Sequence, residues 1–295
     1  MAMEAIDNAL ITQFSDQVHV AAQQSKSRLR PYVTMKQMKG DIFAYDGLGL
    51  AEASEIIGRH QAVVFSDIDH NRRKISRRRF ALVLPIDASD VRGALVNPQS
   101  EYAMACARAM ERVFDRVVYE AMFASVYTGR DMDTAVTFAN DGGDTVTATG
   151  GLIYEKLLEL RQSFIDDEVG NESPVSISMG ISGDEHTALM KETELISGDY
   201  SRQYVVEGGE IQKAAGFNLV KFAGGITRPI LTVAAGVRSC FALAQGGMCV
   251  GMSKEMELSI DKRADLHETT QVAIVFELGA VRTEGVLVKK VTTTD

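Results

Sequence analysis

The sequence predicts an α+β fold in which one long helix separates a β-rich projection from a closing run of strands. Three observations predict it. Asn97-Pro98 sets a capping side chain, then a residue with no N–H, at the start of a periodic segment running to about Ala124. His60–Ile68 and Ile75–Ile86 are rich in β-favouring residues and flank the polar stretch Asp69–Lys74. Glu257–Ile260, Thr269–Leu278 and Val286–Val291 follow one another at the C-terminal end without helical periodicity.

Taken in order, Ile6, Leu10, Ile11, Phe14 and Val18 recur at spacings of three and four, which predicts an amphipathic helix within Ala5–Arg28, ended by Arg28-Leu-Arg-Pro31. Its apolar stripe must lie on something, either this chain or another copy. Met35–Leu50 is punctuated by Gly40, Gly47 and Gly49 and reads as loop. The runs around Asp69–Lys74 then read as one long antiparallel hairpin. A two-stranded hairpin is marginal in water. With no other strand candidate nearby, support has to come from a distant part of the chain or from another copy.

The helix after Asn97-Pro98 places Tyr102, Cys106, Ala109, Met110, Val113, Val117, Ala121 and Met122 on one face, with Arg108, Arg112 and Arg116 beside Glu111, Asp115 and Glu120 on another. At about 1.5 Å per residue it reaches roughly 40 Å. Val136–Phe138 and Val146–Thr149 read as short strands or a hairpin around Asn140-Asp-Gly-Gly143. Leu152–Asp167 reads as helix, Val175–Met179 as strand, and Gly183–Leu195 as helix opened by the capping box Ser182-x-x-Glu185. Asn218–Phe222, Ile230–Val233 and Ser239–Ala244 are further strands.

With 295 residues, 45% hydrophobic and 24% charged, the chain has the composition of one large globular domain or two modest ones. Cys106, Cys240 and Cys249 fall in no zinc or redox spacing and read as buried thiols of a reducing compartment. The N-terminal residues carry acids where a secretory signal carries bases, and no apolar run approaches membrane-spanning length, so synthesis in the cytoplasm is expected. A net charge of −9 argues against general polyanion binding. Against that balance Arg72, Arg73, Lys74, Arg77, Arg78 and Arg79 crowd into one short stretch. That asymmetry leaves a nucleic-acid-binding module as the alternative reading.

No motif nominates catalysis. Gly246–Ser253 has part of a phosphate-loop spacing but lacks its Gly-Lys-Ser/Thr. Gly47-Leu-Gly49 is followed by Glu52 where a dinucleotide turn needs its third glycine. Met179-Gly-Ile-Ser-Gly183 is not a nucleophile elbow, and Asp131-x-Asp133 continues into Ala135, which breaks a calcium-loop ladder. The five histidines, His19, His60, His70, His186 and His267, share no metal-ligand spacing. No cofactor or metal is expected, and an unrecognised hydrolase has only chain size and fold class behind it.

The order N-terminal helix, long hairpin, long N-capped helix, compact α+β unit and closing strands, with Gly279-Ala-Val-Arg282 near the end, resembles the major capsid proteins of tailed bacteriophages, with the Hong Kong 97-type fold. The resemblance implies an N-terminal arm at 1–34, an extended β-hairpin loop at 35–92, and a peripheral domain at 93–149 and 256–295 that includes the spine helix 97–124. The axial domain falls at 150–255. It further implies hexamers and pentamers of the chain closing an icosahedral virion shell around double-stranded DNA. A separate scaffolding protein, a portal and no enzymatic activity complete the implication. Electrostatic complementarity then predicts that the basic stretch Arg72–Arg79 meets Glu111, Asp115, Asp166 or Asp167 of another copy rather than DNA.

Overall fold

The computed structural model describes residues 24–49, 70–86, 99–170, 176–192, 210–224, 229–263 and 269–294, together with 51, 53, 55, 65, 68, 206–207 and 265. The chain divides into two compact units, one formed by Met1–Ser27, Arg78–Val113 and Lys254–Glu277, the other by Arg28–Arg77, Phe114–Ser253 and Leu278–Asp295. The strands are β1 (Thr34–Gln37), β2 (Ile42–Leu48), β3 (His70–Ser76), β4 (Arg78–Ile86), β5 (Val126–Thr128), β6 (Thr134–Val136), β7 (Thr145–Thr149) and β8 (Ile177–Ile181). They continue as β9 (Val206–Glu207), β10 (Glu210–Ile211), β11 (Lys213–Ala214), β12 (Phe217–Lys221), β13 (Val233–Ala234), β14 (Val237–Ala244), β15 (Met248–Arg263), β16 (Thr269–Arg282) and β17 (Val288–Thr294). The helices are α1 (Gln99–Phe123), α2 (Tyr154–Asp166) and α3 (Gly183–Met190).

The smaller unit contains β4, the distal part of β15, the first part of β16 and the first half of α1. Its strands run in the order β15-β16-β4. Each alternates. Val272, Ile274 and Phe276 of β16 are buried, while Phe80, Leu82 and Leu84 of β4 are half-buried between exposed neighbours. In α1, Cys106 and Met110 are buried one turn apart, as the period of its apolar positions requires. Asn97 and Pro98 lie outside the described residues.

The larger unit is built on a seven-stranded sheet, β11-β12-β8-β14-β17-β7, with β13 paired to β14. Every residue of β8 is buried, as befits a strand with neighbours on both edges and both faces covered. α2 buries Leu157, Leu160 and Phe164, and α3 starts with the expected box, in which Glu185 accepts from the Ser182 N–H at 2.9 Å and Ser182 Oγ accepts from the Asp184 N–H at 3.2 Å. The C-terminal strand β17 pairs antiparallel with β14 and parallel with β7, Lys290 opposite Thr145 and Thr294 opposite Thr149. The chain's last strand thus returns beside residues far upstream.

A second sheet, β2-β3-β5-β6, holds the projection. β2 and β3 are antiparallel from Ile42 opposite Ser76 to Leu48 opposite His70. This corrects the expected hairpin. Asp69–Lys74, read as a polar tip, is mostly strand, and its partner is the Ile42–Leu48 segment read as loop. Most of the other expected arm, 60–68, lies outside the described residues. Asp46 and Gly47 within it, with Gly40 and Gly49 at its flanks, hid β2, whose pairing is set by tertiary contacts rather than by propensity. Val136–Phe138 and Val146–Thr149 do not form a hairpin either, since β6 joins β5 while β7 joins β17.

A buried cluster of Met38, Ile75, Val126, Cys249 and Val281 packs this sheet down, with Phe43 and Tyr45 against it. Gly279 is required there, because a Cβ at that position would lie 2.3 Å from the Ser76 carbonyl oxygen.

Candidate assembly site: the hairpin root and its ionic ties

The basic stretch occupies β3 and the start of β4, and period-two alternation sends its cations to different places. Arg72, opposite Asp46 across the β2–β3 pair, donates from Nε to that carboxylate at 2.6 Å. The pair is exposed, and Arg72 holds the Asp46 carboxyl below its ordinary range. Arg77 pairs with Asp41, which continues the same register. Lys74 Nζ lies 5.8 Å from the centre of the Tyr127 ring, and the Arg78 guanidinium lies 5.2 Å from that of Phe80. Arg79, 71% exposed, reaches Glu277 at 3.4 Å.

Arg73 points inward and is buried. Its Nη1 and Nη2 donate to Asp141 at 2.8 and 2.7 Å, and Nη1 also donates to the Arg282 carbonyl at 3.1 Å. Arg282, wholly buried, donates from Nε to the same carboxylate at 2.8 Å and from Nη1 to the carbonyls of Met122 and Ala124 at 2.6 and 3.3 Å. Its guanidinium also stacks over Phe138 at 5.1 Å. One carboxylate therefore joins the hairpin root, the end of β16 and the C-terminal end of α1. Burial pushes the Asp141 carboxyl up, but hydrogen bonds from Arg73 and Arg282, with their charges, outweigh it and hold it below its ordinary value. Burial pushes Arg282 down.

Of the acids expected to meet a second copy, Asp115 is fully buried and accepts the backbone N–H groups of Arg28 and Leu29, each at 3.1 Å. It anchors the segment that enters β1. Arg73 and Asp115 are thus corrected from surface contacts to internal ties, because both face inward from elements whose other side is the wet one. Glu111 accepts the Ser27 N–H at 3.0 Å. Asp166 and Asp167 line an open depression of about 320 Å³ with Asp144, Glu159, Gln162 and Ser163. Wholly buried Lys289 donates there to Asp144 at 2.8 Å and to Asp167. Hydrogen bonds from Lys289 and Ser163 hold Asp144 below its ordinary range.

Sequence reading missed Asp141, Arg282 and Lys289 as a class. Asp141 sits in the quoted turn Asn140-Asp-Gly-Gly143 and Arg282 closes the quoted Gly279-Ala-Val-Arg282. A cation ending a buried strand was the available signal. Among the described residues no group of three or more His, Cys, Asp or Glu could hold a metal ion. None of the described helices is long and apolar enough to cross a membrane.

The distal part of β15 is exposed nearly throughout from Lys254 to Arg263, and β4 exposes every second residue. A strand this exposed within its own chain is an open template for pairing with another chain.

The model of the phage capsid protein family matches residues 6–294, and the chain belongs to that family. It is a major capsid protein of the bacteriophage head shell, with the Hong Kong 97-type fold. Its fold is similar to the capsid of the cyanophage P-SCSP1u, with a TM-score of 0.72 at 13% identity over 98% of this chain and 94% of that one. A chain of Mycobacterium phage Che8 gives 0.71 at 12% over 96% of each. The acidic stable capsid of the Helicobacter pylori bacteriophage KHP30 gives 0.72 at 9% over 98% and 97%. No curated protein matches the sequence.

Proposed function

We propose that the chain assembles into hexamers and pentamers that close an icosahedral shell around packaged double-stranded DNA, with a scaffolding protein and a portal as partners during assembly in the host cytoplasm. The observation that carries this reading is the exposure of the smaller unit's outer strand. Strand residues Lys254–Arg263 are exposed at every position but the half-buried Met256, and such a strand gains stability by association. The 1–34 arm, 35–92 loop, 150–255 axial domain and the peripheral remainder with its spine helix are the parts through which the copies would meet. The role is structural and not catalytic, in keeping with the family and with a sequence that offers no nucleophile, acid–base or metal motif.

The described partners of the basic stretch favour this reading over nucleic-acid binding. Arg72, Arg73, Arg77 and Arg79 each meet a carboxylate of their own chain, which lowers the positive charge left for phosphates. Sedimentation of the full chain, expressed alone and with its scaffolding protein, tests the proposal. Capsomers or shells are expected in at least one condition; a monomer in both refutes it.

A further inference from the structure

The sheet of the smaller unit ends in two edges. β15 has β16 on one side; on the other, β1 pairs only with Cys249–Met252, so from Lys254 to Arg263 no strand lies beside it among the described residues. β4 closes the other side of the sheet and likewise has no outer strand among the described residues. Long open edges are templates for pairing, and most proteins block them.

We infer that these two edges pair with each other between copies, the β4 edge of one chain adding to the β15 edge of the next so that the sheet continues from subunit to subunit. This rests on the shell-subunit reading and names the contact through which neighbours join. The apolar rows of the two strands match in spacing, with the like charges Arg78 and Lys262 (antiparallel) or Lys254 (parallel) falling at the end of the matched stretch. Phe80, Leu82 and Leu84 form the apolar row of β4, and Met256, Leu258 and Ile260 form that of β15, with Leu258 and Ile260 still 44% and 48% exposed. Setting Leu82 opposite Leu258 aligns all three pairs whether the strands run parallel or antiparallel, because side chains alternate with period two.

The charges on the reverse face agree. There β15 carries Glu255, Glu257 and Asp261, and β4 carries Arg79. With Leu82 against Leu258, Arg79 meets Asp261 in the antiparallel arrangement and Glu255 in the parallel one. Pro85, which has no N–H to donate, ends the matched stretch after Leu84. The like-with-like alternatives bring no opposite charges together, since two antiparallel β15 edges centred on Leu258 set Glu255 against Asp261 and two antiparallel β4 edges centred on Leu82 set Arg79 against Pro85. A β4-to-β15 contact is head-to-tail, the type that closes subunits into rings.

Cysteine crosslinking of the full chain tests the pairing. Leu82→Cys and Leu258→Cys chains are prepared separately, mixed under assembly conditions and oxidised mildly. The native thiols stay out of the reaction, being buried, with that of Cys249 pushed up to about 11. A disulfide-linked dimer is expected only when both variants are present, and not when Leu158→Cys, exposed on α2, replaces Leu258→Cys. Oligomers that form without this crosslink overturn the pairing and leave the shell reading intact; chains that stay monomeric overturn both. Arg79→Glu is expected to abolish assembly, and either Asp261→Arg or Glu255→Arg in the same chain to restore it, which also fixes the strand direction. Restoration by neither, or assembly undisturbed by Arg79→Glu, overturns the proposal.

Discussion

Asp141→Asn is the sharpest test of the ionic ties, because it preserves side-chain shape while removing the carboxylate that two buried guanidiniums share. The side chains of Arg73, Arg282 and Asp141 are 7%, 0% and 8% exposed, so water cannot replace the lost charge. The amide oxygen still accepts, but the –NH2 that replaces the other oxygen points a donor at a donor. Breaking a buried pair by removing one partner costs about 3–5 kcal/mol, against about 5–15 kcal/mol of total stability for an ordinary domain. At about 2–3 kcal/mol/M in urea, the unfolding midpoint at pH 7 should fall by roughly 1–2.5 M. The pH dependence has a definite sign. The folded carboxyl titrates below its unfolded value of about 3.9, so its contribution is complete above that value and is lost as pH falls through the folded one. The gap between wild type and Asp141→Asn should therefore close in acid. A loss under about 1 kcal/mol at pH 7, or a gap that persists to the lowest pH at which both fold, would refute the reasoning.

Other perturbations separate the remaining features. Asp46→Asn removes the exposed partner of Arg72 and should leave the urea midpoint unchanged. Ala215 and Ala235 hold φ of 50° and 52° in the two-residue turns joining β11 to β12 and β13 to β14; Ala→Asn at either should raise stability by roughly 1 kcal/mol in thermal unfolding. Ser178 buries a hydroxyl that has no partner among the described residues, so Ser178→Ala should be neutral or stabilising by up to about 1 kcal/mol. Burial pushes the Cys240 and Cys249 thiols up, so a thiol reagent at pH 8 should modify neither until denaturant is added.

The helices and the strands β8, β12, β14 and β17 of the larger unit were legible because their signals are local. The capping box at Ser182 and Glu185 and the periodic apolar residues of α2 specify their elements without help from the rest of the chain. β2 was not legible, since Ile42–Leu48 is a strand only because β3 lies beside it and the Met38–Ile75 cluster lies beneath. The charges show the same division. Composition located the arginines, but their fate depends on which face of β3 each occupies and on which distant acid lies there. Arg73 and Arg72 are neighbours in sequence, yet one is sealed against Asp141 and the other is wet. No spacing rule joins Arg73 to residues 141 and 282, so a buried tie formed across the chain read as a surface charge run.

The central claim is that this chain is the repeating unit of a closed shell. Cryo-electron microscopy of particles purified after co-expression of the full chain with its scaffolding protein tests it most directly. Closed shells are predicted, with repeating density that takes this fold and packs the β4 edge of one copy against the β15 edge of the next. A preparation containing only a monodisperse species of 32.1 kDa would contradict the account.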